Sequence, residues 1–156
     1  MFGREKHIMV PDASVEALFD ARRNAPKPDY ATLSVDMARS SFAAAQAATV
    51  LDKPEMAEII EVEDSWNGEP LRLRVYRPSL KAEPQGALIY FHGGGWVLGS
   101  LESHDHICRT LAAKADVVVI AVDYPLAPEN RYPCAVLYGL NAINWVFANV
   151  DALGLD

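Results

Sequence analysis

Basic residues, cysteines and long apolar runs are all scarce in this sequence of 156 residues. Lysine and arginine number 14 against 21 aspartates and glutamates, which gives a net charge of −7. Nucleic acids and anionic membrane surfaces reward a basic face, so we expect neither as a partner. No apolar run approaches the roughly 20 residues that a transmembrane helix needs, so we expect no membrane insertion.

Cysteine usage indicates a reducing compartment. The two cysteines, Cys108 and Cys134, are too few for a disulfide framework and lack CxxC spacing. Both fall on apolar-rich helical stretches, which favours buried thiols. The N-terminal stretch MFGREKHIMVPDAS has neither the long apolar run nor the cleavage-like site of a signal peptide. We therefore expect a cytoplasmic protein.

The first third of the chain has helical patterning and no strand signal. Asp12 and Ser34 suit the N-caps of two helices, and the proline-containing residues 24–30 separate them. Two such helices need a surface to lie on. We expect residues 1–55 to form a helical cap region and residues 56–156 to form the core.

From residue 57 onward the hydrophobic period changes from helical to extended. Two alternating stretches flank Asn67-Gly68, which predicts a hairpin. In its second strand the alternation predicts that Leu71, Leu73 and Val75 point inward. It predicts that Arg72, Arg74 and Tyr76 point outward. We expect the paired arginines to form a solvated face and not a binding patch.

The next segments predict a strand, a helix, a second strand and a final helix. Residues 87–91 and 117–122 are apolar throughout, as in parallel strands covered on both sides. The expected buried stripes are Ile107, Leu111 and Ala115 on the first helix, and Val136, Leu140, Ile143 and Phe147 on the second. This order predicts an α/β architecture.

Three consecutive glycines, in HGGG at residues 92–95, follow the first of these strands directly. Such a turn leaves bare N–H groups that can donate to a developing oxyanion, as HGGG loops of esterases do. A plain turn is an equally open interpretation. A dinucleotide fingerprint fails because Leu98 stands where its last glycine belongs, and a P-loop fails because Ser100 follows Gly99.

Two motifs together resemble the hormone-sensitive-lipase-type branch of the α/β-hydrolase esterases. They are HGGGW at residues 92–96 and DYPLAPENRYP at residues 123–133, where Pro125 replaces the arginine usual in the family. The resemblance implies the N-terminal part of an α/β-hydrolase fold. An antiparallel hairpin would lead into a parallel sheet with flanking helices, preceded by the helical cap, with the sheet incomplete in this chain.

The resemblance also implies roles for individual residues. Gly93, Gly94 and Gly95 would donate N–H groups to the oxyanion, while the side chain of His92 would brace the loop. Trp96 would lie near the substrate pocket, with a core aromatic as an equally open alternative. The DYPLAPE stretch would be architectural, including its polar residues Asp123, Tyr124 and Glu129.

The catalytic triad of the family is missing from this sequence. No G-x-S-x-G occurs, and all the histidines, at positions 7, 92, 104 and 106, precede the place where a nucleophile would come. We expect this chain alone to be inactive and the serine, acid and base to come from a complementary C-terminal segment or a second chain. A sheet ending at Val122 would expose an apolar edge, which a partner or a homo-oligomer would cover.

The implied substrate is a small ester with a short to medium acyl chain, and no cofactor is needed. A metal site at His104-Asp105-His106 is disfavoured, because Ile107 and Cys108 stand where further ligands usually follow. Two alternatives to an esterase stay open: a non-catalytic small-molecule receptor of the same fold, and an inactive fragment that serves as a scaffold.

Overall fold

The computed structural model describes residues 12–24, 28–30, 32–48 and 53–156. The chain forms two compact units, Met1–Thr32 and Leu33–Asp156. Some features of the sequence lie outside the described residues: His7, most of the N-terminal stretch MFGREKHIMVPDAS, and residues 25–27 of the proline-containing break. Among the described helices, none has both the length and the apolar character that crossing a bilayer requires.

In the first unit, helix α1 spans Ala13–Asn24. It begins directly after Asp12, whose carbonyl accepts hydrogen bonds from the amides of Val15 and Glu16. The helix starts where the sequence predicts it. Whether residues 1–55 act as a cap stays a prediction.

The described part of the second unit is a mixed sheet with helices on both faces. Its elements follow one another as α2 (Val35–Ala47), β1 (Glu58–Trp66), β2 (Glu69–Arg77), β3 (Ala87–Phe91), α3 (Leu101–Ala115), β4 (Val118–Val122) and α4 (Cys134–Ala148). The strand order is β1-β2-β4-β3, with β3 and β4 parallel and the other pairs antiparallel. The hairpin, the two apolar strands and the helices between and after them are confirmed.

Local sequence explains the hairpin and the start of α2. Asn67 and Gly68 both have positive φ, +53° and +84°, as a two-residue primed turn requires. The Ser34 side chain accepts a hydrogen bond from the Met37 amide at 3.3 Å, so it caps α2 as predicted.

Strand β2 is buried on both faces at Val75 and Tyr76, which the sequence did not predict. Leu71, Leu73 and Val75 are buried as expected, but Tyr76 is completely buried as well. The predicted outward position of Tyr76 is therefore wrong. The reason is that α3 covers this face, where Tyr76 packs with residues of α3 and β4.

The arginines of β2 are paired more extensively than a solvated face implies. The Arg74 side chain is only 16% exposed and forms ion pairs with Glu61 and Glu102. Arg72 is more open and lies 3.1 Å from the Asp123 carboxylate. These contacts are internal to the chain, and the expectation that the arginines form no binding patch stays a prediction.

The apolar edge of the sheet is β3 and not β4. Every residue of β4 is buried, because β2 pairs with one side of it and β3 with the other. The predicted edge at Val122 is therefore wrong. Within the described sheet β3 pairs on one side only, and its Leu88 and Phe91 are 40% and 41% exposed.

The helix faces that meet the sheet differ from the predicted ones, in part on α3 and more fully on α4. On α3 Cys108 and Ala112 are buried, each one position C-terminal to a predicted residue; Leu111 of the predicted stripe packs beside them, whereas Ala115 is exposed. On α4 the buried residues are Gly139, Ala142, Trp145 and Val146. The predicted α4 stripe faces outward instead, with Val136, Leu140 and Phe147 at 50–72% exposure.

Candidate active site

The two sequence motifs lie side by side at one edge of the sheet. Phe91, the last residue of β3, is opposite Val122, the last residue of β4, in a parallel register. The chain therefore leaves both strands at the same edge. Residues 93–99, called here the glycine turn, follow β3, and residues 123–133, called here the proline-rich loop, follow β4. Crevices at the carboxyl ends of such strands are where open α/β sheets bind ligands.

The glycine turn is closed by the carbonyl of Gly94. This oxygen accepts hydrogen bonds from the amides of Val97 at 3.2 Å and Leu98 at 2.9 Å. Gly94 has φ +135°, and a Cβ there would lie 2.0 Å from the carbonyl oxygen of Leu98. No side chain fits that space, so the turn in this form requires glycine at position 94.

Gly93, Gly94 and Gly95 of the glycine turn line a cavity of about 510 Å³. Among the described residues, none accepts a hydrogen bond from the amides of Gly93, Gly94 or Gly95. The cavity wall is otherwise mainly apolar, formed by Phe91 and by one face of α4. Unpaired donors beside an apolar cavity are what binding of a carbonyl oxygen requires.

His92 is buried behind the turn, and its contacts with Tyr124 connect the turn to the proline-rich loop. Its Nδ1 lies 3.0 Å from the Gly93 carbonyl oxygen, a distance at which a protonated Nδ1 donates to that oxygen. The Tyr124 hydroxyl donates to the His92 carbonyl at 2.6 Å, and the two rings stack with centroids 4.4 Å apart. Burial raises the pKa of Tyr124, which keeps this donor protonated. The contacts fit the bracing role expected of His92.

His104 lies behind His92, in surroundings that disfavour its charged form. Burial lowers the pKa of His104, and the nearby ring of His92, 5.4 Å away between centroids, lowers it further. Its Nδ1 is 2.9 Å from the Ser103 hydroxyl. Phe42 of α2 stacks on its ring at 6.5 Å. His104 therefore packs as an aromatic side chain between α2 and the glycine turn.

The neighbouring Asp105 has cationic partners. Lys53 and Arg109 both donate to its carboxylate at 2.9 Å. Burial alone would raise the pKa of Asp105, but these two hydrogen bonds outweigh it and the pKa lies below its usual value. Within the described ranges, no group of three or more histidine, cysteine, aspartate or glutamate side chains has the arrangement of a metal site.

Trp96 stands at the rim of the cavity and does not belong to the core. Its side chain is 66% exposed, and its backbone has φ +61°. Trp96 also lines a second, mainly apolar cavity of about 490 Å³, together with Tyr132 and Val136 among others. Its expected place near a substrate pocket stays a prediction.

The polar residues of the proline-rich loop form structural contacts. Tyr124 holds His92, as described above. The Asp123 carboxylate pairs with Arg72, and burial raises the pKa of Asp123. Both carboxylate oxygens of Glu129 accept hydrogen bonds from Arg39 of α2, at 2.9 and 2.8 Å. These contacts agree with the architectural role that the resemblance implies.

Two residues at the site carried no role in the sequence analysis. Gly99 has φ +96°, and a Cβ there would lie 2.4 Å from Nδ1 of His92, so glycine lets the turn pass against that ring. Arg39 bonds to both loops from α2. It is the only basic residue in α2, which is the one signal that could have drawn attention to it.

Known proteins have sequences similar to this chain. Residues 88–156 match a family described by its alpha/beta hydrolase fold. An ethyl acetate hydrolase of Pseudomonas putida is 41% identical over 153 residues, which cover 94% of this chain and 48% of that protein. An arylesterase of Saccharolobus solfataricus is 38% identical over 109 residues, which cover 70% of this chain and 35% of that protein.

The chain has part of an α/β-hydrolase fold. Solved structures agree: a thermostable esterase of Pseudomonas putida superposes with a TM-score of 0.82 at 32% identity, covering 93% of this chain and 45% of that one. A hyperthermophilic esterase of Pyrobaculum calidifontis gives 0.72 at 40% identity, covering 80% and 41%.

The comparisons confirm the resemblance to hormone-sensitive-lipase-type esterases and the fold class inferred from it. This α/β-hydrolase chain spans about half the length of the curated relatives first compared with it, or less. That coverage is consistent with the prediction that it corresponds to their N-terminal half. The described sheet is likewise a partial α/β-hydrolase sheet.

Proposed function

We propose that the whole protein is a carboxylic ester hydrolase that works through an acyl-serine intermediate, and that this chain supplies its oxyanion hole. The observation that carries the proposal is the set of unpaired amides at residues 93–95, bordering an apolar cavity of about 510 Å³. The esterase activity stated for the relatives gives the chemical class.

In this mechanism the glycine turn acts when negative charge develops on the ester oxygen. The amides of Gly94 and Gly95, with that of Gly93, would donate to the oxyanion of each tetrahedral intermediate. Fixed backbone dipoles of this kind need no reorganisation during the reaction, which is why they lower the barrier. His92 and Tyr124 keep the turn in place from behind, and neither transfers a proton in this scheme.

The nucleophile, the acid and the base would come from a complementary C-terminal segment or a second chain. The sequence has no G-x-S-x-G, the motif that carries the serine in this fold. The outward face of α4 and the edge strand β3 support such a partner, because both expose large apolar side chains: Leu88, Phe91, Val136, Leu140 and Phe147. Phe91, Val136 and Leu140 also line the cavity. A homo-oligomer is the competing occupant of this surface.

The shape and lining of the cavity favour small esters with short to medium acyl chains. Its wall is apolar apart from the amides, so it suits an uncharged acyl group. Trp96 would contact the substrate from the rim. No cofactor takes part in this chemistry, because acyl transfer to serine and hydrolysis of the acyl-enzyme need only proton transfer.

Hydrolysis of p-nitrophenyl butyrate tests the proposal. The chain alone should give no burst of p-nitrophenolate, whereas the chain assembled with a segment carrying G-x-S-x-G should give a burst followed by turnover. Replacing the serine of that segment by alanine provides the control and should abolish both. Steady turnover by the homogeneous lone chain would contradict the division of roles, and ester binding without hydrolysis by the assembly would favour a receptor.

A further inference from the structure

Arg39 of α2 uses its whole guanidinium group to hold the two loops of the site. Its Nε donates to the Val97 carbonyl at 3.0 Å, in the glycine turn, and its Nη2 donates to the Ala127 carbonyl at 3.0 Å, in the proline-rich loop. Its Nη1 and Nη2 also donate to the two carboxylate oxygens of Glu129. One side chain thus connects α2, the glycine turn and the proline-rich loop.

The bonds of Arg39 continue a network that reaches the proposed oxyanion donors. The Ala127 amide donates to the Trp96 carbonyl at 2.8 Å, so the proline-rich loop and Arg39 hold two consecutive carbonyls of the glycine turn. The Val97 amide in turn donates to the carbonyl of Gly94. A shift of Val97 therefore moves the peptide units at positions 94 and 95 directly.

We propose that Arg39 is a positioning residue for the oxyanion turn. It fixes the orientation of the Gly94 and Gly95 amides by holding the Val97 carbonyl, and Glu129 fixes the orientation of Arg39. This proposal rests on the proposed function of those amides. Arginine is required because its planar fork donates in several fixed directions at once, whereas the ammonium group of lysine is a single point charge.

A simpler interpretation is that Arg39 and Glu129 form an ordinary surface ion pair. Their side chains are 30% and 54% exposed, and pairs of this kind contribute little. Arg39→Lys separates the two interpretations, because lysine keeps the charge next to Glu129 but cannot reach both backbone carbonyls with the geometry of arginine. Arg23→Lys is the matched control, since among the described residues Arg23 pairs only with Asp20, at an exposed site on α1.

Hydrogen exchange of the chain tests the coupling without any need for activity. In Arg39→Lys the amides of Val97, Leu98 and Ala127 should exchange about tenfold faster, as loss of a charge-assisted hydrogen bond predicts. The hairpin amides around Gly68 should keep their rates, which excludes general unfolding. The Arg23→Lys chain should match the unsubstituted one. Unchanged exchange at Val97 and Leu98 in Arg39→Lys would overturn the proposal.

Kinetics of the assembled esterase test the consequence for catalysis. Arg39→Lys should lower kcat about tenfold to a hundredfold with KM little changed, because a misplacement of about 1 Å costs that much. Glu129→Gln keeps both carbonyl contacts possible and should have a smaller effect of the same kind. An equal fall in kcat for Arg23→Lys, or an unchanged kcat for Arg39→Lys, overturns the positioning role. If the unsubstituted assembly hydrolyses no ester, the proposed function fails, while the exchange data still decide the coupling.

Discussion

Gly94→Ala is the smallest change that should disable the glycine turn. The added Cβ would lie 2.0 Å from the Leu98 carbonyl oxygen and 2.5 Å from its carbon, both of them backbone atoms that cannot rotate away. A Cβ atom essentially never lies within 3.0 Å of another residue's backbone, so the two segments must separate by about 1.0 Å. The turn cannot keep its present form with any other residue at position 94.

The expected cost follows from the bonds that this separation breaks. The Gly94 carbonyl would lose its bonds to the Val97 and Leu98 amides, at about 0.5–1.5 kcal/mol each. Holding alanine at φ +135° costs about 1–3 kcal/mol more. If the amide of Gly94 or Gly95 leaves the oxyanion, kcat should fall by about 10²–10³, or roughly 2.7–4 kcal/mol of transition-state stabilisation.

Two matched variants isolate the clash. Gly95 also has a positive φ, +61°, but a Cβ there would meet no atom within 4 Å. The Gly95→Ala variant should therefore keep the conformation of the turn. Gly68→Ala, at φ +84° in the hairpin, also has open space and lies away from the cavity. Both should lose about 1–2 kcal/mol of stability from left-handed strain. Urea titration gives the stability of each chain, and p-nitrophenyl butyrate turnover by the assembled esterase gives kcat and KM.

The kinetic pattern decides whether the amides act in the transition state. We expect Gly94→Ala to lower kcat much more than it raises KM, and to lower it far more than Gly95→Ala or Gly68→Ala at matched folded fractions. An equal loss in kcat and in substrate binding would mean that the turn only shapes the pocket. Full turnover by folded Gly94→Ala would refute the oxyanion role.

Two further predictions concern the helix behind the site. Burial raises the pKa of Cys108 to about 12, so iodoacetamide at pH 8 should alkylate Cys134 well before Cys108. Mass spectrometry of the native chain measures the labelling of each cysteine. Equal labelling would contradict the packing of α3. Burial lowers the pKa of His104 below 6.5, so the unfolded chain binds the proton more readily. The stability that depends on neutral His104 is complete above pH 6.5 and falls as the pH drops below it. Urea titrations at pH 7.5 and 5.5 should therefore show a smaller pH dependence in His104→Gln than in His106→Gln, and equal slopes would show that His104 is not responsible.

Much of the site could be predicted from short stretches of sequence. The turn residues Asn67 and Gly68, the apolar strand before His92 and the glycines after it each specify their local conformation through backbone sterics. The parallel register of β3 and β4 then brings the two motifs to one edge. The role of Arg39 could not be predicted, because its partners include the carbonyls of Val97 and Ala127, and any residue offers such a carbonyl.

The faces of the helices show where sequence reasoning reached its limit. Helix α4 is apolar on more than one side, so periodicity alone cannot select the side that meets the sheet. The structure selects the side that carries Gly139, Ala142 and Trp145. A Cβ on Gly139 would lie only 3.3 Å from the Phe91 ring, and Trp145 donates to Asp64 at 2.8 Å. The wide apolar stripe that the sequence assigned to the core is exposed instead.

By itself, the sequence determined the elements, their order and the chemistry available at the end of β3, because local sterics and hydrophobic period act within a few residues. The tertiary structure alone decided that β4 is central and β3 is the edge, that Tyr76 is buried, and that α2 reaches the glycine turn through Arg39. Those outcomes depend on contacts between residues far apart in the chain. Close packing and the pairing of backbone groups determine which face of a helix or strand is buried, where the sequence pattern allows more than one.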